Sequence, residues 1–250
     1  IKDINIGSGS SFPNNYVEFN SDLYFNARDS SGDFSIYKYN GTSVIRVVPF
    51  DATSGLFPVV KTVFKGKLIF IYARSSGSSE GLWEYDGTNA PTLIANLNPN
   101  GIDGFSGSRM VEFNNVLYFT GRDGTSGDEL FKYDGINPPS LVIDLNSTNS
   151  GNANPRSLTI FKNQLYFSAF NGTTTNLYVT DGISAPVIAA SNVYGSSNAS
   201  FIIISGKMYF ASSGSTASSA NITIYEYDGI NTPSIVVSTL GTGSGLRVES

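Results

Sequence analysis

The chain has 250 residues, no cysteine, no histidine and a formal net charge of −5. That inventory excludes disulfides, thiolate nucleophiles, Cys- or His-ligated metals and Ser-His-Asp triads. The acidic balance and the lack of a basic cluster argue against a nucleic-acid partner. No apolar run reaches the roughly 18–20 residues of a membrane span. With 14% charged residues and 26 glycines among many Ser, Thr and Asn, the composition suits short strands joined by polar turns rather than helices.

In chain order, IKDINIGSGSS (1–11) comes first and resembles IVVSTLGTGSG (235–245) near the other end. A short apolar strand, Tyr16–Phe19, follows, and then Leu23-Tyr24-Phe25 opens a second. The triplet returns as Leu68-Ile69-Phe70, Leu117-Tyr118-Phe119, Leu165-Tyr166-Phe167 and Met208-Tyr209-Phe210. A second anchor keeps the same step: Asn40-Gly41, Asp86-Gly87, Asp134-Gly135, Asp181-Gly182 and Asp228-Gly229 lie 46, 48, 47 and 47 residues apart. Five copies of a unit of about 47 residues therefore fill nearly the whole chain, at approximately 16–58, 59–105, 106–153, 154–197 and 198–240. Periods of about 20–50 residues mark solenoids, propellers or arrays.

Each unit reads as four strands. In the third copy they are Arg109–Phe113, Val116–Gly121, Glu129–Tyr133 and Ser140–Leu145. The Asn114-Asn115 link is short enough for a hairpin with a primed turn. DGTSGD makes a longer hairpin loop, and Asp134-Gly135 makes the third turn. Pro138-Pro139 cannot donate to a sheet ladder, which places the fourth strand at the sheet edge. The second strands are almost continuously apolar, as in a sheet covered on both faces. The predicted fold is all-β: a single-domain five-bladed β-propeller over residues 1–250, each blade a four-stranded antiparallel meander. The ends carry one surplus strand segment each, 1–11 and 246–250, since LRVES resembles RMVEF and puts Glu249 in the slot of Glu18 and Glu112. These segments either clasp the last blade, hook a neighbouring module, or mark an arbitrary cut in a longer array. The chain is expected to be a slice of something longer or to have lost a targeting segment.

The unit L-Y-F-x-A/G-x-D…G-x-E-L-W/F-x-x-D-G-T resembles the ELWxxDGT repeat of large secreted or surface-attached bacterial proteins. Leu82-Trp83-Glu84-Tyr85-Asp86-Gly87-Thr88 and Glu129-Leu130-Phe131-Lys132-Tyr133-Asp134-Gly135 carry the likeness most clearly. The copies are degenerate, because Thr follows the glycine only at Thr42 and Thr88 and the tryptophan stands only at Trp83. The resemblance implies an extracellular or cell-surface module without an activity to carry over residue by residue.

Candidate chemistry is sparse, and no catalytic, metal or cofactor residue is assigned. Arg28-Asp29, Arg74 and Arg122-Asp123 end second strands and form a candidate polar ring, or structural hairpin ends. Trp83 is a candidate sugar-stacking residue, although its slot is aromatic in every copy (Tyr37, Phe131, Tyr178, Tyr225) and so favours core. Glu18 and Glu112 share a slot with Val63, Ile160 and Ile203, which is expected to be packed between blades rather than catalytic. Loops DSSGD and DGTSGDE present oxygens around glycine but lack a calcium-loop pattern. Asn40, Asn146, Asn171, Asn198 and Asn221 sit in Asn-x-Ser/Thr triplets, which turn composition explains. The leading expectation is a non-enzymatic surface module for adhesion, matrix or appendage assembly, partnered by itself or by neighbouring repeat modules. Next comes a carbohydrate-binding propeller with several weak equivalent sites, and third a polysaccharide-acting enzyme.

Overall fold

A computed structural model describes residues 2–53, 55–73, 79–98, 104–105, 110–148, 151–191, 193, 201–213 and 222–238. Twenty strands form five four-stranded sheets, one per repeat. The first sheet holds β1 (Asn14–Phe19), β2 (Asp22–Arg28), β3 (Phe34–Tyr39) and β4 (Val44–Val48). The second holds β5 (Phe57–Phe64), β6 (Lys67–Ala73), β7 (Ser79–Tyr85) and β8 (Thr92–Ala95). The third holds β9 (Val111–Phe113), β10 (Val116–Arg122), β11 (Asp128–Tyr133) and β12 (Ser140–Ile143). The fourth holds β13 (Arg156–Phe161), β14 (Gln164–Phe170), β15 (Thr175–Thr180) and β16 (Val187–Ala190). The fifth holds β17 (Ile202–Ile204), β18 (Lys207–Ser213), β19 (Ile222–Tyr227) and β20 (Ser234–Ser238). Strand order follows chain order in every sheet.

The turns explain why the copies fold alike. Each link between first and second strands puts two consecutive residues at positive φ, as at Lys65 (47°) and Gly66 (71°), or Asn114 (50°) and Asn115 (64°). That is the primed-turn geometry a two-residue antiparallel hairpin requires. Each third link is an Asx turn. Asp134 Oδ1 accepts from the backbone N–H of Ile136 (2.8 Å) and Asn137 (2.7 Å), and Asn40, Asp86, Asp181 and Asp228 do the same in their copies. Two backbone N–H groups are thus satisfied locally at each turn, and the outer strand starts in fixed register.

The chain divides into two compact units, residues 1–125 with 131–140, and residues 126–130 with 141–250. In the first unit, Leu68 and Phe70 of the second sheet pack against Phe19, Tyr24 and Ile36 of the first. The LYF triplet thus works on two faces: its first and third residues meet the preceding sheet, and its middle residue meets the following one. Tyr24 stands edge-on to Tyr85 at 6.4 Å, and Phe64 packs at 5.9 Å from Tyr133. The primed turn seats on the next sheet's Asp-Gly turn, where Lys65 Nζ donates to the Asp134 carbonyl at 2.6 Å. Glycine is favoured beneath it by a φ of 82°, and a Cβ on Gly135 would also lie 2.6 Å from Lys65 Cδ and 3.3 Å from Phe64 Cε1. Buried Asn26 adds a polar tie by donating to the Pro58 carbonyl (2.6 Å) and accepting from Val60 N–H (2.9 Å).

In the second unit the same joint recurs. Tyr166 stands edge-on to Tyr227 at 5.9 Å, and Gly229 lies under Phe161 and Lys162. Glu129 is fully buried there, its Oε2 accepting from Leu145 N–H (3.1 Å) and its Oε1 from Ala153 N–H (3.2 Å). Burial pushes its carboxyl up to about 7, against the lowering effect of those amides.

Two expectations are corrected. The segment 1–11 is no strand over its described residues; instead Ile4 packs on the Phe25, Ala27 and Tyr37 cluster, and Ser11 O accepts from Arg28 N–H at 2.8 Å. Its run of Gly and Ser offers no alternating apolar face to hold a ladder. The slot of Glu18 and Glu112 is packed only in the second copy, where half-buried Val63 lies against the core cluster; both glutamates are exposed, as are Ile160 and Ile203. The residue before each buried inner-strand phenylalanine must point to the opposite side of the pleat. The segment 246–250, with Glu249, lies outside the described residues.

Candidate functional site

The second sheet departs from the others at one cross-strand pair. Where the first, fourth and fifth sheets set Ala27 opposite Ser35, Ala169 opposite Asn176 and Ser212 opposite Thr223, the second sets Tyr72 opposite Gly81. The bulk has changed strands. Ser35 and Asn176 are buried, and Ser35 Oγ accepts from Phe50 N–H at 3.0 Å to hold the segment after β4. Gly81 has no side chain to give. A Cβ there would meet Leu93 Cδ1 at 2.8 Å and Trp83 Nε1 at 3.0 Å, so the glycine is what lets the indole settle.

An aromatic corner results. Trp83 stacks on buried Phe70 (6.4 Å between centroids, 24° between planes) and stands nearly perpendicular to Tyr72 (5.3 Å, 80°). Such offset and edge-on pairs are the favoured geometries, worth about 0.5–1.5 kcal/mol beyond area burial. Tyr72 Oη donates to the Pro49 carbonyl at 3.3 Å. Burial, with nearby Asp51 adding to it, pushes the Tyr72 phenol up, so it stays a neutral donor.

The opposite wall is the link 49–56. Asp51 and Leu56 exchange backbone hydrogen bonds (2.8 and 3.2 Å), and Asp51 Oδ1 accepts from Thr53 N–H at 2.9 Å. Between this link and β6–β8 lies a cleft of about 410 Å³, lined by Pro49, Phe50, Asp51, Ala52, Leu56, Tyr72, Trp83, Leu93 and Asn96. That volume falls within the range of small-ligand sites, which pair apolar walls with a few oriented polar groups. Among the described lining residues Asp51 is the one carboxylate.

Trp83 is the predicted site residue that the structure brings into the cleft; it is half-buried, packed against the core cluster as its aromatic slot led one to expect, and also lines the cleft. Arg28 Nε donates to Gly32 O within its own hairpin (3.1 Å). Asp29 Oδ1 accepts from Ser31 and Asp33 N–H (2.9 and 3.2 Å), and its Oδ2 faces Arg46 at 3.4 Å. Asp123 Oδ1 accepts from Thr125 N–H (2.8 Å) and hydroxyl (2.9 Å), while Arg122 N–H donates to Gly104 O (3.0 Å). Arg28, Asp29 and Asp123 thus bond within their own hairpin loops, Asp29 also facing β4, while Arg122 ties to the link before its sheet. Arg74 lies outside the described residues. Among the described residues no group of three or more Asp or Glu converges as a metal site would. Sequence reasoning passed over Tyr72, Gly81, Asp51 and Asn96. The signal was present: Tyr72 and Gly81 are where one repeat departs from its siblings.

No family model and no curated protein matches the sequence. Among solved structures, a prolyl endopeptidase superposes with a TM-score of 0.61 at 12% identity, over 92% of this chain and 35% of that one. This chain thus spans about a third of that protein's length. The β-propeller domain of the trilobed protease of Pyrococcus furiosus superposes with a TM-score of 0.51 at 11% identity, over 93% of this chain and 71% of that one. The chain is a β-propeller. Its five sheets are the propeller's five blades, and at these identities the likeness speaks for fold alone. The cleft is therefore a feature of the second blade and of the link that leads into it.

Proposed function

We propose that this propeller is a non-enzymatic module of an extracellular or cell-surface protein, and that its second blade binds carbohydrate. The observation that supports the reading is the right-angled Trp83–Tyr72 corner, set beside Asp51 and Asn96 in one cleft. An indole offers a flat apolar surface for the C–H face of a pyranose, and a carboxylate and an amide accept and donate to its hydroxyls. The likeness of the repeats to ELWxxDGT units of surface proteins fits a role in adhesion or matrix contact, where weak sites gain by multivalency. The expected site differs from the several equivalent ones read from the repeat, because only one blade carries the Tyr72–Gly81 exchange.

Glycan arrays at high protein density, followed by titration calorimetry with the best hit, test this. Trp83→Ala is expected to weaken binding by about tenfold or more, which is roughly 1.4 kcal/mol. Trp83→Phe is expected to retain part of it. Absence of binding by the intact chain on the array, or equal binding by Trp83→Ala, would end the proposal.

A further inference from the structure

The cleft of the second blade carries two hydrogen-bond donors that no described residue satisfies. One is the indole N–H of half-buried Trp83, which has ring contacts but no acceptor among the described residues. A tryptophan N–H on a covered wall usually finds a partner, and here solvent or a ligand has to supply it. The other is the Asn96 amide. Its Oδ1 accepts from the Asn98 N–H at 3.1 Å, which leaves the NH₂ end without a partner among the described residues. Asp51 adds an acceptor to the same lining. Its Oδ1 takes the Thr53 N–H at 2.9 Å, and a carboxylate's roughly four lone-pair sites accept several donors at once. Tyr72 gives its hydroxyl proton to the Pro49 carbonyl at 3.3 Å, so what it offers the cleft is its ring. Leu93, half-exposed and paired with Trp83 across β7 and β8, adds aliphatic surface.

We propose that this cleft recognises the acetamido group of an N-acetylhexosamine, a narrowing that rests on the carbohydrate reading above. An acetamido group carries one C=O acceptor, one N–H donor and one methyl, and the lining holds a counterpart for each. The carbonyl accepts from the Trp83 N–H or the Asn96 NH₂, the N–H donates to the Asp51 carboxylate, and the methyl packs on Leu93. A hydroxyl in the same place brings no methyl and concentrates donor and acceptor on a single atom, so it spans fewer of these groups. An ammonium satisfies Asp51 but sets donors against the two unfilled donors. Sites discriminate strongly when the wrong substituent leaves their polar groups unpaired. The other blades carry Tyr37, Phe131, Tyr178 and Tyr225 in the Trp83 slot, so the indole donor belongs to the second blade alone.

Titration calorimetry of the full chain with chitin-, chitosan- and cellulose-type oligomers of one length tests this, because they differ at a single ring substituent: acetamido, amine or hydroxyl. The acetylated oligomer is expected to bind about tenfold or more tightly than the other two. Trp83→Phe keeps a stacking ring that the third blade already carries in that slot. Asn96→Asp is an exposed change that keeps the acceptor for the Asn98 N–H. Each should shrink the ratio of acetylated to hydroxyl affinity to about one, a readout that general loss of stacking does not move. A parent that binds the three oligomers alike, or none of them, overturns the inference; if the array still shows other glycans bound, the carbohydrate reading stands without it. Tightest binding of the amine form, or a ratio that both variants leave unchanged, overturns it as well. Tighter binding of an Nε-acetyl-lysine peptide than of any sugar would overturn both readings together.

Discussion

Replacing Glu129 with Gln tests whether a buried carboxylate holds the passage from the third blade to the fourth. Both oxygens of Glu129 accept backbone N–H groups, from Leu145 at 3.1 Å and Ala153 at 3.2 Å. Gln keeps the size but turns an NH₂ group toward one of these amides. A buried donor then faces a donor, at a cost of about 1–3 kcal/mol. A second readout comes from protonation. Burial raises the carboxyl from an ordinary 4.5 to about 7 in the folded chain, so the folded state holds the proton where the unfolded state has released it. Its contribution is complete below pH 4.5 and is lost as pH rises through 7. At about 1.4 kcal/mol per pH unit, stability should fall by roughly 2–3 kcal/mol between pH 5 and pH 8. With no histidine in the chain, no other side chain of ordinary pKa titrates there. Urea unfolding of the parent and of Glu129→Gln at both pH values measures this. The variant should be less stable at pH 5 and nearly flat to pH 8. A parent whose stability rises over that interval, or a variant as pH-sensitive as the parent, would refute the reasoning.

Three further outcomes are expected. Gly135→Ala places a Cβ 2.6 Å from Lys65 Cδ, whereas Gly41→Ala meets open space at a similar positive φ; the first should cost about 1–2 kcal/mol more than the second in thermal unfolding. Phe161→Ala empties a joint position that is 3% exposed and should cost about 3–5 kcal/mol by urea titration. Hydrogen bonds from Asn89, Asn137 and Asn231 hold the Asp86, Asp134 and Asp228 carboxyls down at about 2. Their contribution is present above pH 4 and lost as pH falls through 2, so Asp134→Asn, which copies the natural Asn40, should lessen the drop in melting temperature on acidification.

The blades were legible because their determinants are local. A two-residue link holding at least one Asn or Gly recurs at each primed turn, Asp-Gly or Asn-Gly recurs at each outer turn, and an LYF-like triplet recurs on each second strand. Glu18 and Glu112 were misread because a slot shared with Val and Ile looks buried; the deciding factor is pleat parity relative to the neighbouring phenylalanine. The cleft was half legible. Trp83 stood out as the lone tryptophan, but its significance depends on Gly81 across a bulge and on Asp51 in the preceding link. Such pairings arise only when register is known. Glu129 was read as a strand residue of the repeat, and nothing in its spacing told that two amides from further along the chain would converge on it.

The joint that seats a primed turn on its neighbour's Asp-Gly corner has an evolutionary side. Each 47-residue segment carries a socket for the unit before it and a plug for the unit after it, so a duplicated segment arrives already fitted to its siblings. Unequal recombination within such a gene can lengthen or shorten the array without leaving a packing defect at the scar. Individual units are then free to drift, and Tyr72 in place of a small residue with Gly81 in place of a polar one shows how a single member can take on a specialised duty while the rest keep the frame.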